Sequence, residues 1–262
     1  MNLSMLFQLS PNIELLFSEA GSDPADRVRA AATAGFEAVE MWGTLEKDVP
    51  ALAKACADAG VSVTSVIAEP RTNFTFPWTD LAEFWDGLDR GIEDARTLGS
   101  PRIVLGSGMG FPGMKRRQNL DKLTQVFRDV VERYRGSGIA FVLEPVNTRV
   151  DHPGALLDRT AEAVAVARGV GDPSFGILYD LYHSVTEGED VEAVLADAGD
   201  LVHYVQIADS PGRGEPGSGA IDWSEALVRL SRAGYSGPLG LEYFPTTETL
   251  SSLRRITELV AG

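Results

Sequence analysis

Short apolar and β-branched runs alternate along the chain with longer stretches in which apolar side chains recur at helical spacing. The runs Leu3–Phe7, Ala38–Trp42, Ser62–Ala68, Arg102–Gly106, Ala140–Val146, Gly176–Tyr182, Tyr204–Ala208 and Leu239–Tyr243 read as strands. Between them, Pro24–Ala34, Val49–Ala59, Leu81–Leu98, Leu120–Arg135, Ala155–Val170, Val191–Ala198, Trp223–Ala233 and Thr247–Val260 read as helices. Gly35, Gly60, Gly99 and Gly234 fall where a helix ends and the chain needs a left-handed residue before the next strand. Eight β–α units in succession predict a parallel sheet covered by helices.

Two architectures share that local pattern. In a doubly wound open sheet, a Gly-rich phosphate turn follows the first strand and polar residues gather at one switch point. This chain has neither; its strand-end polar residues are spread over the last four units. A closed (β/α)8 TIM barrel brings all strand C-termini to one face and needs about 250 residues. The 262 residues fit one such α/β domain, 1–262, with no linker or low-complexity stretch dividing it.

The candidate chemistry lies in those four units. Glu144, Asp180, Gln206 and Glu242 stand inside or at the ends of Phe141–Pro145, Ile177–Asp180, Tyr204–Ile207 and Gly240–Tyr243, all otherwise apolar. A carboxylate buried beside Val, Leu and Ile costs several kcal/mol unless a cation meets it. Taken singly, each acid could as well pair with an arginine of a neighbouring element. Three acids in register, in strands free of Lys and Arg, point to a divalent ion. Three carboxylates and an amide form an all-oxygen set suited to Mg²⁺ or Mn²⁺.

The segments Leu143–Arg149, Tyr179–His183, Gln206–Arg213, Glu215–Gly219 and Gly240–Tyr243 resemble the hydroxypyruvate isomerase family, within the xylose isomerase-like barrels. That resemblance implies an intramolecular oxidoreductase. Glu144 and Glu242 would serve as acid/base groups and, with Asp180 and Gln206, surround the metal. Related ketose 3-epimerases resemble the chain too, but they usually carry a histidine where Gln206 stands. Moving a carbonyl between adjacent carbons removes a proton α to C=O, which a metal and two carboxylates can manage through an enediolate. The expected substrate is hydroxypyruvate, giving tartronate semialdehyde, or a related short 2-oxo sugar acid. The alternatives are a neutral ketose or dehydratase substrate, or a barrel that only binds metal or sugar acid.

His183, three residues after Asp180, is expected to hydrogen-bond a substrate oxygen. Arg213, in the Gly/Pro-rich stretch Pro211–Gly219, is expected on a flexible loop that reaches the pocket and meets a substrate carboxylate. Phe74, Phe76 and Trp78 in the Arg71–Trp78 loop are read as pinning that loop to its own helix; in this loop the chain departs from the family's Gly/Arg-rich segment. Gly106–Gly110 looks like a phosphate cradle, but Phe111-Pro112-Gly113 follows instead of a helix start.

Composition narrows the partners. A net charge of −15, with no basic cluster longer than Lys115–Arg117, repels nucleic acid and anionic membrane surfaces. Cys56 is the only cysteine, so neither a disulfide framework within the chain nor a Cys-based zinc site is expected. No basic residue precedes Arg27 and no apolar run approaches a membrane span, which reads as a cytoplasmic protein. Homo-oligomerisation is left open by the sequence.

Overall fold

Side-chain alternation along the strands sorts the core into two layers. The computed structural model describes residues 7–261. Its strands are β1 (Leu9–Pro11), β2 (Ala38–Val39), β3 (Ser62–Val63), β4 (Val66–Ile67), β5 (Arg102–Gly106), β6 (Ala140–Glu144), β7 (Phe175–Asp180), β8 (Val202–Ile207) and β9 (Leu239–Leu241). All pairings between them are parallel, in the order β1-β9-β8-β7-β6-β5-β4, with β2 on β3. Glu40 closes the circle: its N–H donates to Pro11 O at 3.0 Å and its carbonyl accepts from Ile13 N at 3.0 Å. With β3 and β4 as two halves of one strand, the sheet is a (β/α)8 barrel.

Ile103, Leu105, Leu143, Ile177, Tyr179, Val205, Leu239 and Leu241 face outward, into the main core shared with the helices. The alternate residues Val104, Val142, Leu178 and Tyr204 pack together inside the barrel. A strand's period of two then places Glu144, Asp180 and Gln206 on the inward parity, one step beyond Val142, Leu178 and Tyr204. Glu242 follows Gly240 in the same way.

The helices are α1 (Pro24–Thr33), α2 (Val49–Ala59), α3 (Ala82–Leu98), α4 (Arg116–Arg133), α5 (Thr160–Val170), α6 (Leu181–Glu187), α7 (Val191–Ala198), α8 (Trp223–Arg232) and α9 (Thr249–Ala261). Asp23, Asp48, Asp190 and Asp222 cap α1, α2, α7 and α8 by accepting first-turn N–H groups. Gly60 and Gly99 end α2 and α3 in the left-handed conformation, at φ 70° and 69°.

The structure corrects several boundaries. The first strand is Leu9–Pro11, set by its pairing with β9 through Leu9 and Leu239. Of the expected Leu3–Phe7, residues Leu3–Leu6 lie outside the described residues, and Phe7 precedes the strand. The run Gly176–Tyr182 does not stay extended to its end. Asp180 accepts from Tyr182 N at 2.9 Å and His183 N at 3.4 Å, so it caps α6 and turns the chain into a helix. α4 begins four residues before the expected Leu120, and α5 begins at Thr160 instead of Ala155.

Candidate functional site

The inward residues at the C-terminal mouth surround a cavity of about 520 Å³, whose walls include Glu144, His183, Arg213 and Glu242. Glu144 and Glu242 come from strands three places apart around the barrel, so they approach the cavity from different sides. Asp180 and Gln206 are in register on adjacent strands, and Gln206 is in register with Gly240. All four strand-end residues singled out in the sequence are brought to this end of the barrel.

Glu242 is the best anchored of the acids. Trp42 Nε1 donates to its Oε1 at 2.6 Å, and Arg213 Nη2 lies 2.7 Å from Oε2. Burial raises its pKa, while Arg213 and the Trp42 donor oppose that shift. Glu144 has His183 Nε2 at 3.7 Å as its charged or polar neighbour. Burial, then the charges of Glu242 and Asp180, hold its carboxyl well above the usual range. The two glutamates are thus set apart in character by their surroundings.

His183 is held in one tautomer. Asn147 Oδ1 accepts from Val150 N and Asp151 N, both at 3.0 Å, which fixes the amide so that Nδ2 is the donor. That Nδ2 lies 2.6 Å from His183 Nδ1, and Asn147 N donates to the same atom at 3.2 Å. Nδ1 is therefore the acceptor, and the proton of the neutral ring sits on Nε2. Burial, with Arg213 nearby, keeps the ring pKa well below its ordinary value. Nε2–H points toward Asp180 Oδ2, 3.5 Å away, and Glu144 Oε1.

Arg213 reaches the pocket, but its loop is tied down. The buried Asp209 carboxylate accepts from Ser210 N (2.9 Å), Gly217 N (2.6 Å), Ile221 N (3.1 Å) and Trp223 Nε1 (2.8 Å). Arg213 itself adopts φ 54°, and its carbonyl accepts from Phe244 N at 2.8 Å. Besides Glu242, its guanidinium has Asp180 Oδ2 at 3.7 Å and Asp151 Oδ2 at 3.9 Å, and it stacks over Tyr182. The flexible loop expected around Arg213 is instead an organised one.

Sequence reasoning passed over Glu40. Its carboxylate lies inside the barrel, where Oε1 accepts from Asn12 Nδ2 at 3.1 Å and Gln206 Nε2 at 2.9 Å. Oε2 accepts from Tyr204 OH at 2.6 Å and Ser65 Oγ at 3.4 Å. Burial and the charge of Glu242 push the carboxyl up to about 8, against the Tyr204, Gln206 and Asn12 donors. A Cβ at position 240 would lie 2.2 Å from Glu40 Oε2, so Gly240 makes the room. The signal was present: Glu40 is an acid within an apolar run, like the other three. Phe74 packs on Phe84 of α3 as expected, at a ring distance of 4.9 Å, whereas Phe76 and Trp78 pack on each other and on Phe111 of the loop between β5 and α4.

Glu144, Asp180 and His183 each offer an atom within 4.8 Å of the others, a group that could hold a metal ion. Asp180 Oδ2, Gln206 Oε1 and His183 Nε2 are buried without a hydrogen-bond partner among the described residues. Buried polar atoms are rarely left this way. Two of the three are hard oxygen donors, as a divalent cation requires, so the residues fit such an ion.

The chain resembles the hydroxypyruvate isomerase of Escherichia coli K12, 29% identical over 256 residues covering 95% of this chain and 98% of that one. It also resembles the 2-oxo-tetronate isomerase of Pectobacterium atrosepticum, 25% identical over 252 residues, with 94% and 95% covered. The crystal structure titled AP endonuclease, family 2, from Brucella melitensis superposes with a TM-score of 0.88 at 26% identity, covering 96% of this chain and 98% of that one. Residues 28–259 match the family model of the xylose isomerase-like TIM barrel, and the chain belongs to that family.

Proposed function

We propose that this protein is a metal-assisted isomerase of hydroxypyruvate or a related short 2-oxo sugar acid. The observation that carries the reading is that Asp180 Oδ2, close to Glu144 and His183, and Gln206 Oε1, on the adjacent strand in register with Asp180, are buried without a hydrogen-bond partner among the described residues. Glu144, Asp180, Gln206 and Glu242 would hold the ion, probed first as Mg²⁺ or Mn²⁺. Gln206 fits the role because its Nε2 is committed to Glu40, leaving Oε1 as the free atom. His183 is set outside the ligand set: a ligand at Nε2 would need the proton on Nδ1, where Asn147 already donates.

When bound by Glu144, Asp180, Gln206 and Glu242, a divalent ion would supply Lewis-acid stabilisation of negative charge on the substrate oxygens. Glu242, oriented by Trp42 and Arg213, takes the proton from the carbon α to that carbonyl. Glu144, reaching the cavity from another side, returns a proton to the neighbouring carbon, while the hydroxyl proton of the first carbon passes to the oxygen of the second, and the two glutamates exchange roles in the reverse direction. His183 Nε2–H donates to a substrate oxygen as charge builds on it in the enediolate. Arg213 favours the ionised form of Glu242 against the effect of burial and adds a positive charge beside the substrate.

A panel of hydroxypyruvate, 2-oxo-tetronate and neutral ketoses, assayed with Mg²⁺ and Mn²⁺ after chelation, tests the reading. Metal-restored turnover of the acids, well above that of the ketoses, is the expected result. Preferential turnover of a neutral ketose at C3 would replace it with the epimerase reading.

A further inference from the structure

Arg213, the cation the sequence offers for a substrate carboxylate, is already engaged by Glu242, Asp180 and Asp151. The cavity wall holds a second guanidinium. Arg71, on the loop between β4 and α3, is exposed at the wall and makes no hydrogen bond or ion pair among the described residues. We propose that Arg71, with the side-chain amide of Asn73, receives the carboxylate of the hydroxy-carbonyl acid whose reacting carbons lie among Glu144, Asp180 and Glu242. The proposal rests on the isomerase reading above.

Electrostatics sets the direction in which such an acid enters. The ion and Arg213 offset the acids at the cavity floor, and Arg71 is the guanidinium of the wall with no carboxylate partner among the described residues, so an incoming carboxylate is drawn to it. Arg71's planar fork matches a carboxylate, and its single charge matches a single negative charge. A phosphate, with about −1.5 to −2, would call for further cations. His152, in the same wall, supplies none at neutral pH: burial and the charges of Arg213 and Arg71 push its pKa down.

The loop that carries Arg71 is already in place. Asn73 Oδ1 accepts from Met109 N at 2.8 Å, which turns its Nδ2 donors free. Thr75 Oγ1 accepts from Phe111 N at 3.0 Å and donates to Met109 O at 3.2 Å. Gly108, at φ 66°, lets the two loops touch, since a Cβ there would lie 2.2 Å from Thr72 O. The Gly106–Gly110 segment thus serves as a close-packed support for the Arg71 loop.

The test compares wild type, Arg71→Gln and Arg71→Lys on hydroxypyruvate and 2-oxo-tetronate. Alongside, calorimetry measures binding of tartronate, a non-reacting acid, and of dihydroxyacetone, a neutral compound. Arg71→Gln is expected to raise KM for the acids and weaken tartronate by roughly 10- to 100-fold, with kcat within a few-fold. Dihydroxyacetone binding stays unchanged, and Arg71→Lys recovers part of the loss. Unchanged KM and tartronate affinity in Arg71→Gln, or equal weakening of acid and neutral compounds, would overturn the proposal while leaving turnover, and so the isomerase reading, intact. Conversely, Arg71-dependent tartronate binding without turnover of either acid would support the receptor and refute the isomerase.

Discussion

Replacing Glu40 with leucine removes the acceptor that orients Gln206 while keeping a side chain of similar size. Four donors, on Asn12, Tyr204, Gln206 and Ser65, lose their partner. Each orphaned donor costs about 1–3 kcal/mol, partly offset by no longer burying an acid whose carboxyl burial pushes up to about 8, so metal-free stability should fall by a few kcal/mol. The larger effect is expected at the metal. Gln206 Oε1 is aimed by the Nε2–Glu40 bond, and residues that orient a ligand are typically worth about 10- to 100-fold in metal affinity. Calorimetric titration of Mn²⁺ into chelated protein should show that loss in Glu40→Leu. Glu40→Gln keeps an acceptor for Gln206 and should lose less. Thermal melts in EDTA check that both variants fold. Wild-type Mn²⁺ affinity in Glu40→Leu, or equal losses in the two variants, would refute the orienting role.

Arg213→Met should destabilise the protein by about 3–5 kcal/mol in urea unfolding, because it strands the buried Glu242 carboxylate beside Asp180. Gly240→Ala places a methyl 2.2 Å from Glu40 Oε2 and 2.8 Å from Gln206 Cγ, so we expect both a lower Tm and weaker Mn²⁺ binding. Nitrogen NMR of the imidazoles should find His183 neutral with its proton on Nε2 from pH 7 upward. Asn147→Asp, which sets a carboxylate against Nδ1, should raise its pKa and move a proton to Nδ1.

The barrel was legible because each unit carries its own signals. Asp48, Gly60 and the apolar spacing between them define α2 at its observed bounds, and β5 has the expected ends. The inward parity of Glu144, Asp180 and Gln206 was also readable, since a polar residue in a buried strand must face something other than the helical core. Tertiary contacts decided what was missed. Leu181 and Tyr182 continue an apolar run, and only the Asp180 cap shows that the chain has turned into α6. Asn147 lies within Leu143–Arg149, a segment that carries the family resemblance, yet its clamp on His183 joins residues 36 apart in sequence. Arg213 was expected to be free for a ligand, and its pairing with Glu242 depends on how the Asp209-organised loop folds back.

Proton transfer by Glu144 and Glu242 at a divalent metal centre carries the proposed activity. It is tested most directly by proton NMR of hydroxypyruvate incubated in D₂O with chelated and Mn²⁺- or Mg²⁺-restored protein, followed by manganese removal before spectra are taken. Restored wild-type protein should exchange the hydroxymethyl protons for deuterium and form tartronate semialdehyde. Glu144→Gln and Glu242→Gln should each slow turnover by about 10²–10⁴-fold. Exchange that persists after chelation, or survives in both variants, would contradict the account.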